Sequence, residues 1–241
     1  MNKTIALIGA GAPKEAIDNL SKDFEVFVLP RDGLIAKEIS YHPDMILSVI
    51  GDKLFCHETY YNKNKRLLDT VSKKGMLNII ASRCTRNSTY PNDIAFNVLN
   101  CNNTVLAKKA NVCPEMHELP ITDTKQGYAG CTALYAADHV VSADPSIIKS
   151  AEGAGIPTYR ISGKDIQLDG YNTGFIGGAC GVFGDNIYIC GDYRKSQSGL
   201  ELFEFCKQFS LCLIPIYSGN VCDIGGIKFI NTAVENNGKQ C

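Results

Sequence analysis

The stretch Asp44-Met-Ile-Leu-Ser-Val-Ile-Gly-Asp-Lys-Leu-Phe-Cys56 decides the architecture, because the chain repeats it. A polar residue opens an apolar run, Gly51-Asp52 supplies tight-turn chemistry, and a second apolar run returns, so the segment reads as a β-hairpin. Three further segments lie over it: Asp93 to Leu106 with Asn102-Asn103 at the tip, Cys131 to Ser142 with Asp138-His139, and Cys180 to Cys190 with Gly184-Asp185-Asn186. Their spacing of roughly 37 to 49 residues falls in the range of symmetric arrays.

Helical patterns follow three of the hairpins. Lys65 to Lys73 carries Leu67, Leu68 and Val71 on one face. Pro145 to Gly153 has Asp144 as N-cap and Pro145 at the first helical position, and Gly199 to Phe209 carries Leu200, Phe203 and Phe209. Short strands come next, at Leu77–Ala81, Thr158–Ile161 and Cys212–Ile216. The unit is therefore strand–strand–helix–strand, and only the second unit lacks a helix, since Lys108 to Leu119 is irregular.

The ends are complementary. The chain opens with an apolar strand, Thr4 to Ile8, a helix after Pro13 and a strand, Glu25 to Leu29; it closes on the strand Ile227 to Ile230. Together they supply a fifth unit that closes a ring and removes exposed sheet edges. The expected fold is thus α/β, a five-fold pseudosymmetric ββαβ ring forming a single domain over residues 1–241, with one blade built from both termini. Gly9 and Gly11 resemble the opening of a dinucleotide fingerprint, but Lys14 stands where a third glycine belongs and no acidic residue ends the second strand. A plain strand-to-helix turn is the better reading.

Composition excludes several roles. With 24 basic and 25 acidic residues and a net charge of −1, the chain has no basic excess for phosphates or anionic membranes, so neither nucleic acid nor membrane is an expected partner. No apolar run reaches the length of a membrane helix, and none at the start suits a signal peptide, which points to the cytoplasm. Eleven cysteines, an odd number without any C-x-x-C pair, read as reduced residues in a reducing compartment, and no metal, cofactor or resting disulfide is expected.

The run Tyr90-Pro-Asn-Asp-Ile-Ala-Phe-Asn97 resembles the strand that carries a substrate-binding Asp in the guanidino-group-modifying enzymes, the penteins, and three further motifs, Lys125-Gln-Gly-Tyr-Ala-Gly-Cys-Thr132, Gly174-Phe-Ile-Gly-Gly-Ala-Cys-Gly181 and Cys222-Asp-Ile-Gly-Gly226, carry a second resemblance. This one is closer, to a bacterial, largely clostridial family of unknown function with that fold. The likeness spans about Tyr90 to Ile230; the N-terminal third matches by pattern. Active penteins use a cysteine nucleophile in the last unit, a histidine at the start of a strand, and carboxylates around the guanidinium. A guanidinium carbon is a poor electrophile, so thiolate attack needs a partner acid for the leaving amine, and carboxylates orient the planar cation through paired hydrogen bonds.

The sequence departs from that pattern. The family's terminal cysteine would fall near Phe229 or Ile230, and Cys180 or Gly181 stands at the histidine position. The thiols left as candidate nucleophiles are Cys131, Cys180 and Cys222, with His117 as a candidate acid/base. His42 and His139 read as surface residues, and His57 ends a strand. Asp93, Asp44, Gln126, Tyr128 and Asp223 are the candidate substrate contacts, each open to a purely structural turn or capping role. Asp44, Asp93, Cys131 and Cys180 are expected to begin inner strands and face a shared axis.

Two functions from different classes follow. One is a divergent binder of a small, cationic molecule that has lost the standard Cys/His set. The other is a Cys-dependent hydrolase or transferase acting on a guanidine or amidine. An interaction protein without a pocket is a third, and no oligomeric state is indicated.

Overall fold

The computed structural model describes residues 3–232. Among the described residues fifteen strands form five three-stranded sheets of one topology. In each blade an inner strand pairs antiparallel with a middle strand, which pairs in parallel with an outer strand. In chain order the strands are β1 (Ile5–Gly9), β2 (Glu25–Leu29), β3 (Leu47–Ile50), β4 (Lys53–His57), β5 (Asn78–Ser82), β6 (Leu99–Cys101), β7 (Thr104–Ala107), β8 (Ile121–Asp123), β9 (Ala133–Ala136), β10 (His139–Ser142), β11 (Thr158–Arg160), β12 (Cys180–Phe183), β13 (Asn186–Ile189), β14 (Cys212–Pro215) and β15 (Lys228–Ile230). The helices are α1 (Lys14–Asp23), α2 (Pro43–Ile46), α3 (Glu58–Lys63), α4 (Lys65–Gly75), α5 (Ala129–Thr132), α6 (Pro145–Gly153), α7 (Ile176–Ala179) and α8 (Gln197–Gln208).

The termini share a blade as expected. β15 pairs antiparallel with β1, Ile5 opposite Ile230, and β1 pairs in parallel with β2. The second blade replaces its crossover helix with two 3-10 turns, Lys109–Asn111 and Pro114–Met116. Tip residues take positive φ at Gly51, Gly184 and the pair Ala137-Asp138; the third turn is thus one residue earlier than the expected Asp138-His139, and His139 opens β10.

Among the described residues the core consists of six clusters, one at each of the five junctions between blades and a sixth at one end of the ring, where Ile35, Ile39, Met45, Ile94 and Cys131 pack together. Successive side chains of a strand point to opposite faces, so middle strands feed two junctions at once. Ile5 and Leu7 join Leu54 and Cys56, whereas Ala6 and Ile8 join Tyr188, Cys190 and Ile227. Phe55 packs with Phe96 and Val105, Leu106 with Ala133 and Val140, and Val141 with Ile187 and Leu202. Burial on both faces explains why these strands read as continuous apolar runs, and the closed sequence of junctions is the ring.

Among the described residues no helix is long and apolar enough to cross a membrane, and no group of three or more His, Cys, Asp or Glu side chains is arranged to hold a metal ion.

Candidate functional site

The segments that lead into the five inner strands meet at one pole of the ring. They are α2, the turn around Asp93, α5, α7 and the loop Cys222–Gly226. Backbone hydrogen bonds knit them together: Asp44 N–H donates to the Gly225 carbonyl, and the Ile224 and Gly226 N–H groups both donate to the Gly178 carbonyl. Glycines permit the close approach. A Cβ on Gly177 would lie 2.2 Å from the Ala133 carbonyl oxygen, and one on Gly130 would lie 2.7 Å from that of Val98.

This geometry corrects the expected register. Asp44 and Cys131 lie on the short helical turns α2 and α5 rather than at strand starts, and Asp93 lies in an irregular turn. Counting back from each inner strand, Asp44 is equivalent to Phe96, Gly130, Gly177 and Gly225, not to Asp93, Cys131 and Cys180. Cys180 is the first residue of β12 and packs with Ile176, Ile187 and Ile189 in the junction between the last two full units. Relative to the strands, the polar openings place the second segment three residues early, the third one residue late and the fourth three residues late.

At the pole lies a cavity of about 160 Å³, lined by His42, Met45, Tyr128, Cys131, Leu168, Tyr171, Phe175 and Asp223, among others. His42, expected on the surface, is 1% exposed. The turn at Gly225, with φ +76°, leaves room for it: a Cβ there would lie 2.2 Å from the His42 Cβ. His42 Nδ1 is 3.6 Å from Asp223 Oδ1. That spacing suits an ion pair, yet burial pushes both groups toward neutrality. The imidazole falls to about 4, and the Asp223 carboxyl rises to about 8 through burial and the nearby Asp44. Asp223 is held in place by N–H donors from Phe175 at 3.0 Å and Gly225 at 2.9 Å.

Asp44 adjoins both Asp223 and Cys131. Burial raises it to about 6, against a lowering influence from Lys228. The Cys131 thiol and the Met45 N–H lie beside its carboxyl but out of hydrogen-bond geometry, and neither of its oxygens has a partner among the described residues. Asp93 is 3% exposed; its Oδ2 accepts from the Tyr128 hydroxyl at 2.8 Å, and its Oδ1 is unpaired. His42 Nε2 is unpaired as well. Buried polar groups in folded proteins are nearly always satisfied, so four orphaned atoms at one pole mark a place built for something else.

Cys131 is the candidate thiol that lines the cavity. Asn97 fixes it: Asn97 Nδ2 donates to its sulfur at 2.9 Å, while Asn97 Oδ1 accepts from the Gly130 and Cys131 N–H groups. Burial first, then Asp44 and Asp223, hold its thiol well above the usual range, which opposes formation of a nucleophilic thiolate. Cys180 is likewise pushed up by burial. Cys222 is half-buried beside Cys190, off the cavity wall. His117 is exposed at the end of a 3-10 turn and does not reach the pole cavity. Gln126 does not line it either; its amide donates to Asp144 at 2.9 Å and its carbonyl accepts from the Tyr128 N–H, which orders the loop. His57 caps α3 by accepting from the Thr59 N–H, and half-buried His139 packs on Phe209.

Sequence reasoning missed His42, Asn97, Tyr171, Phe175 and the support beneath Asp93. Arg86, buried and paired with Asp32 at 3.0 Å, donates to the carbonyls of Asp93 and Met45 and so ties two pole segments together. The available signal was position: Tyr41-His42-Pro43 immediately precedes Asp44, and Asn97 and Phe175 fall inside quoted motifs.

The ring of five ββαβ blades with a buried polar pole is the pentein fold, and comparison with solved structures agrees. A dimethylarginine dimethylaminohydrolase, solved as an adduct with 4-chloro-2-hydroxymethylpyridine, superposes with a TM-score of 0.51 at 11% identity, covering 90% of this chain and 93% of its own. The inosamine-phosphate amidinotransferase StrB1 from Streptomyces griseus gives 0.52 at 13% identity, covering 97% and 95%. At such identities the likeness is one of fold. No curated protein matches the chain. The family model described as "Family of unknown function (DUF6873)" matches residues 7–228, and the chain belongs to that family.

Proposed function

We propose that the pole cavity binds a small organic cation of the guanidinium or amidinium class and does not turn it over. The observation that carries this reading is the set of unpaired buried oxygens on Asp44 and Asp93 beside a cavity that Asp223 lines. A planar cation with several N–H donors satisfies such oxygens and offsets the repulsion between Asp44 and Asp223 as they ionise. Tyr128, Tyr171 and Phe175 add aromatic walls, which favour cations. The cavity is smaller than the roughly 300 Å³ at which pockets begin to hold drug-sized ligands, so the ligand has few heavy atoms. Both solved neighbours bear names that point to amidino or methylarginine chemistry, which supports the ligand class by fold analogy.

Absence of turnover rests on the thiols. Catalysis of the pentein kind needs a thiolate and an acid/base partner. Here the cavity thiol, Cys131, is held protonated by burial and two carboxyls, and His42, although 3.6 Å from Asp223, is held neutral by burial. The hydrolase reading keeps one specific support, that Cys131 does line the cavity.

The test is calorimetric titration with methylguanidinium, acetamidinium and tetramethylammonium, alongside chloroacetamidine labelling at neutral pH and an ammonia-release assay on arginine and agmatine. Saturable heat for the planar cations, lost in Asp44→Asn, with no ammonia and no fast labelling, is expected. Rapid single-site labelling of Cys131, suppressed by methylguanidinium, together with ammonia release would establish the hydrolase instead.

A further inference from the structure

Cys190 and Cys222 come together although 31 residues separate them, with their sulfurs 3.4 Å apart. The contact is built into the backbone. The Cys222 N–H donates to the Cys190 carbonyl at 2.9 Å, which sets the two residues side by side as a disulfide requires. Gly191, with φ +136°, makes the approach tight enough, since a Cβ there would lie 2.3 Å from the Val221 Cα. The two thiols differ in environment. Cys190 is fully buried in the junction between the first and last blades, and Cys222 is half-buried at its margin.

We infer that Cys190 and Cys222 form a reversible peroxide-sensitive dithiol whose oxidation to a disulfide reshapes the pole cavity. Cys222 is the attacking partner. It is the half-buried thiol of the two, whereas Cys190 is fully buried; the contact between the sulfurs lowers the Cys222 thiol pKa, prevailing over burial and the charges of Asp223 and Asp169, while the same contact and burial push Cys190 strongly up. The Cys222 thiolate attacks one oxygen of hydrogen peroxide, giving a sulfenic acid and hydroxide. The Cys190 thiol then gives its proton to that hydroxide and its sulfur attacks the sulfenic sulfur, releasing a second hydroxide, which takes up the proton first lost by Cys222. Two thiols are oxidised by two electrons, and peroxide is reduced to two waters. A small-molecule dithiol reverses the bond by exchange.

The coupling to the cavity is short. Asp223 is the next residue along the chain from Cys222 and lines the cavity. Both are clamped to the Gln167–Leu168 segment: Cys222 pairs with Gln167 as an isolated bridge, and the Asp223 N–H donates to the Gln167 carbonyl at 2.8 Å. Leu168 also lines the cavity, and Asp223 holds the Phe175 N–H. Closing the sulfurs from 3.4 Å to a bond of about 2.05 Å therefore moves a segment that carries one cavity carboxyl and touches two further walls.

The experiment uses the full chain with exposed Cys212 and the terminal Cys241 replaced by serine. The protein is treated with hydrogen peroxide, quenched with N-ethylmaleimide and peptide-mapped, and the His42 ring resonances, assigned with His42→Asn, are followed by NMR. Expected are a Cys190–Cys222 linked peptide two hydrogens lighter than its parts, loss of maleimide labelling at both positions, and a shift of the His42 signals; dithiothreitol restores all three. Cys190→Ser should send Cys222 on to sulfinic acid without the linked peptide, and Cys222→Ser should leave Cys190 a thiol. Sulfinic acid at Cys222 with Cys190 present, or both thiols surviving peroxide, would overturn the dithiol; a linked peptide with unmoved His42 signals would overturn its coupling to the cavity. No cation enters the experiment, so its failure and that of the cation-site reading are separable.

Discussion

Asp44 and Asp223 are two buried carboxyls side by side, and in water-free surroundings both resist ionisation. Asp223 rises to about 8 and Asp44 to about 6, burial being the first cause in each case. A carboxyl with a raised folded-state pKa holds its proton where the unfolded chain has released it. Its contribution to stability is therefore present at low pH and is lost as pH rises toward the folded value, about 6 for Asp44 and about 8 for Asp223. At pH 8 an asparagine at position 44 should be better tolerated than the native aspartate, because an amide of the same shape carries no charge. The expected gain for Asp44→Asn is about 1–3 kcal/mol by urea denaturation at pH 8, falling to about half of that at pH 5 and toward zero below about pH 4. A loss of stability at pH 8 would mean that the Asp44 charge is compensated in the folded state. Binding follows the same linkage. Methylguanidinium stays charged throughout, whereas Asp223 must shed its proton to receive it, so affinity should rise about tenfold per pH unit from pH 6 to 8 and level off above that. A flat profile would remove Asp223 from the site. Asp44, Asp93, Tyr128 and Asp223 were legible because their types suit a cation and lie in or beside repeated segments. His42 was not, because Pro43 suggests a surface turn and only the fold reveals Gly225 opening space for the ring.

The pole is made of elements only four residues long. α2, α5 and α7 are single turns; α5 packs on α7, and α2 and α7 are hydrogen-bonded to the Cys222–Gly226 loop. Short apolar runs beside glycine do not show a helical period, which is why these turns read as strand starts and why the hairpin alignment slipped at Cys131 and Cys180. The hairpins, crossover helices and outer strands were legible, since tight-turn residues and apolar periodicity act locally. Glycine is what the pole elements require. An added Cβ at Gly178 would lie 2.0 Å from Asp223 Oδ1, whereas one at Gly153, at the end of α6, meets nothing within 4 Å. Gly178→Ala is expected to cost about 2–3 kcal/mol by urea denaturation and to abolish cation binding, while Gly153→Ala should be neutral or slightly stabilising. Equal effects at the two positions would contradict the close packing of α7 on the loop.

At the scale of the whole molecule the ring is closed by the pairing of β1 with β15. Ile5 sits opposite Ile230, so the described ends of the chain lie together while each of the other four blades keeps its own hairpin and crossover. This closure was legible in the incomplete units at the two termini. What converges at the centre was not, because it depends on how five separate segments approach one axis. Joining Lys3 to Thr232 through a short linker and opening the chain at the Gly184-Asp185 tip should give a circular permutant that unfolds in one cooperative transition. A non-cooperative or insoluble product would show that the order of synthesis, and not ring closure, defines the fold.

The most direct measurement is calorimetric titration of the native chain with methylguanidinium chloride at pH 8.5, repeated in two buffers of different ionisation enthalpy at pH 7. The expected result is one saturable site at both pH values, tighter at pH 8.5, with a buffer-dependent heat at pH 7 that reports release of a proton to the buffer as Asp223 ionises. Absence of saturable heat at millimolar cation, or binding that Asp44→Asn leaves unchanged, would contradict a cation site at the pole of the ring.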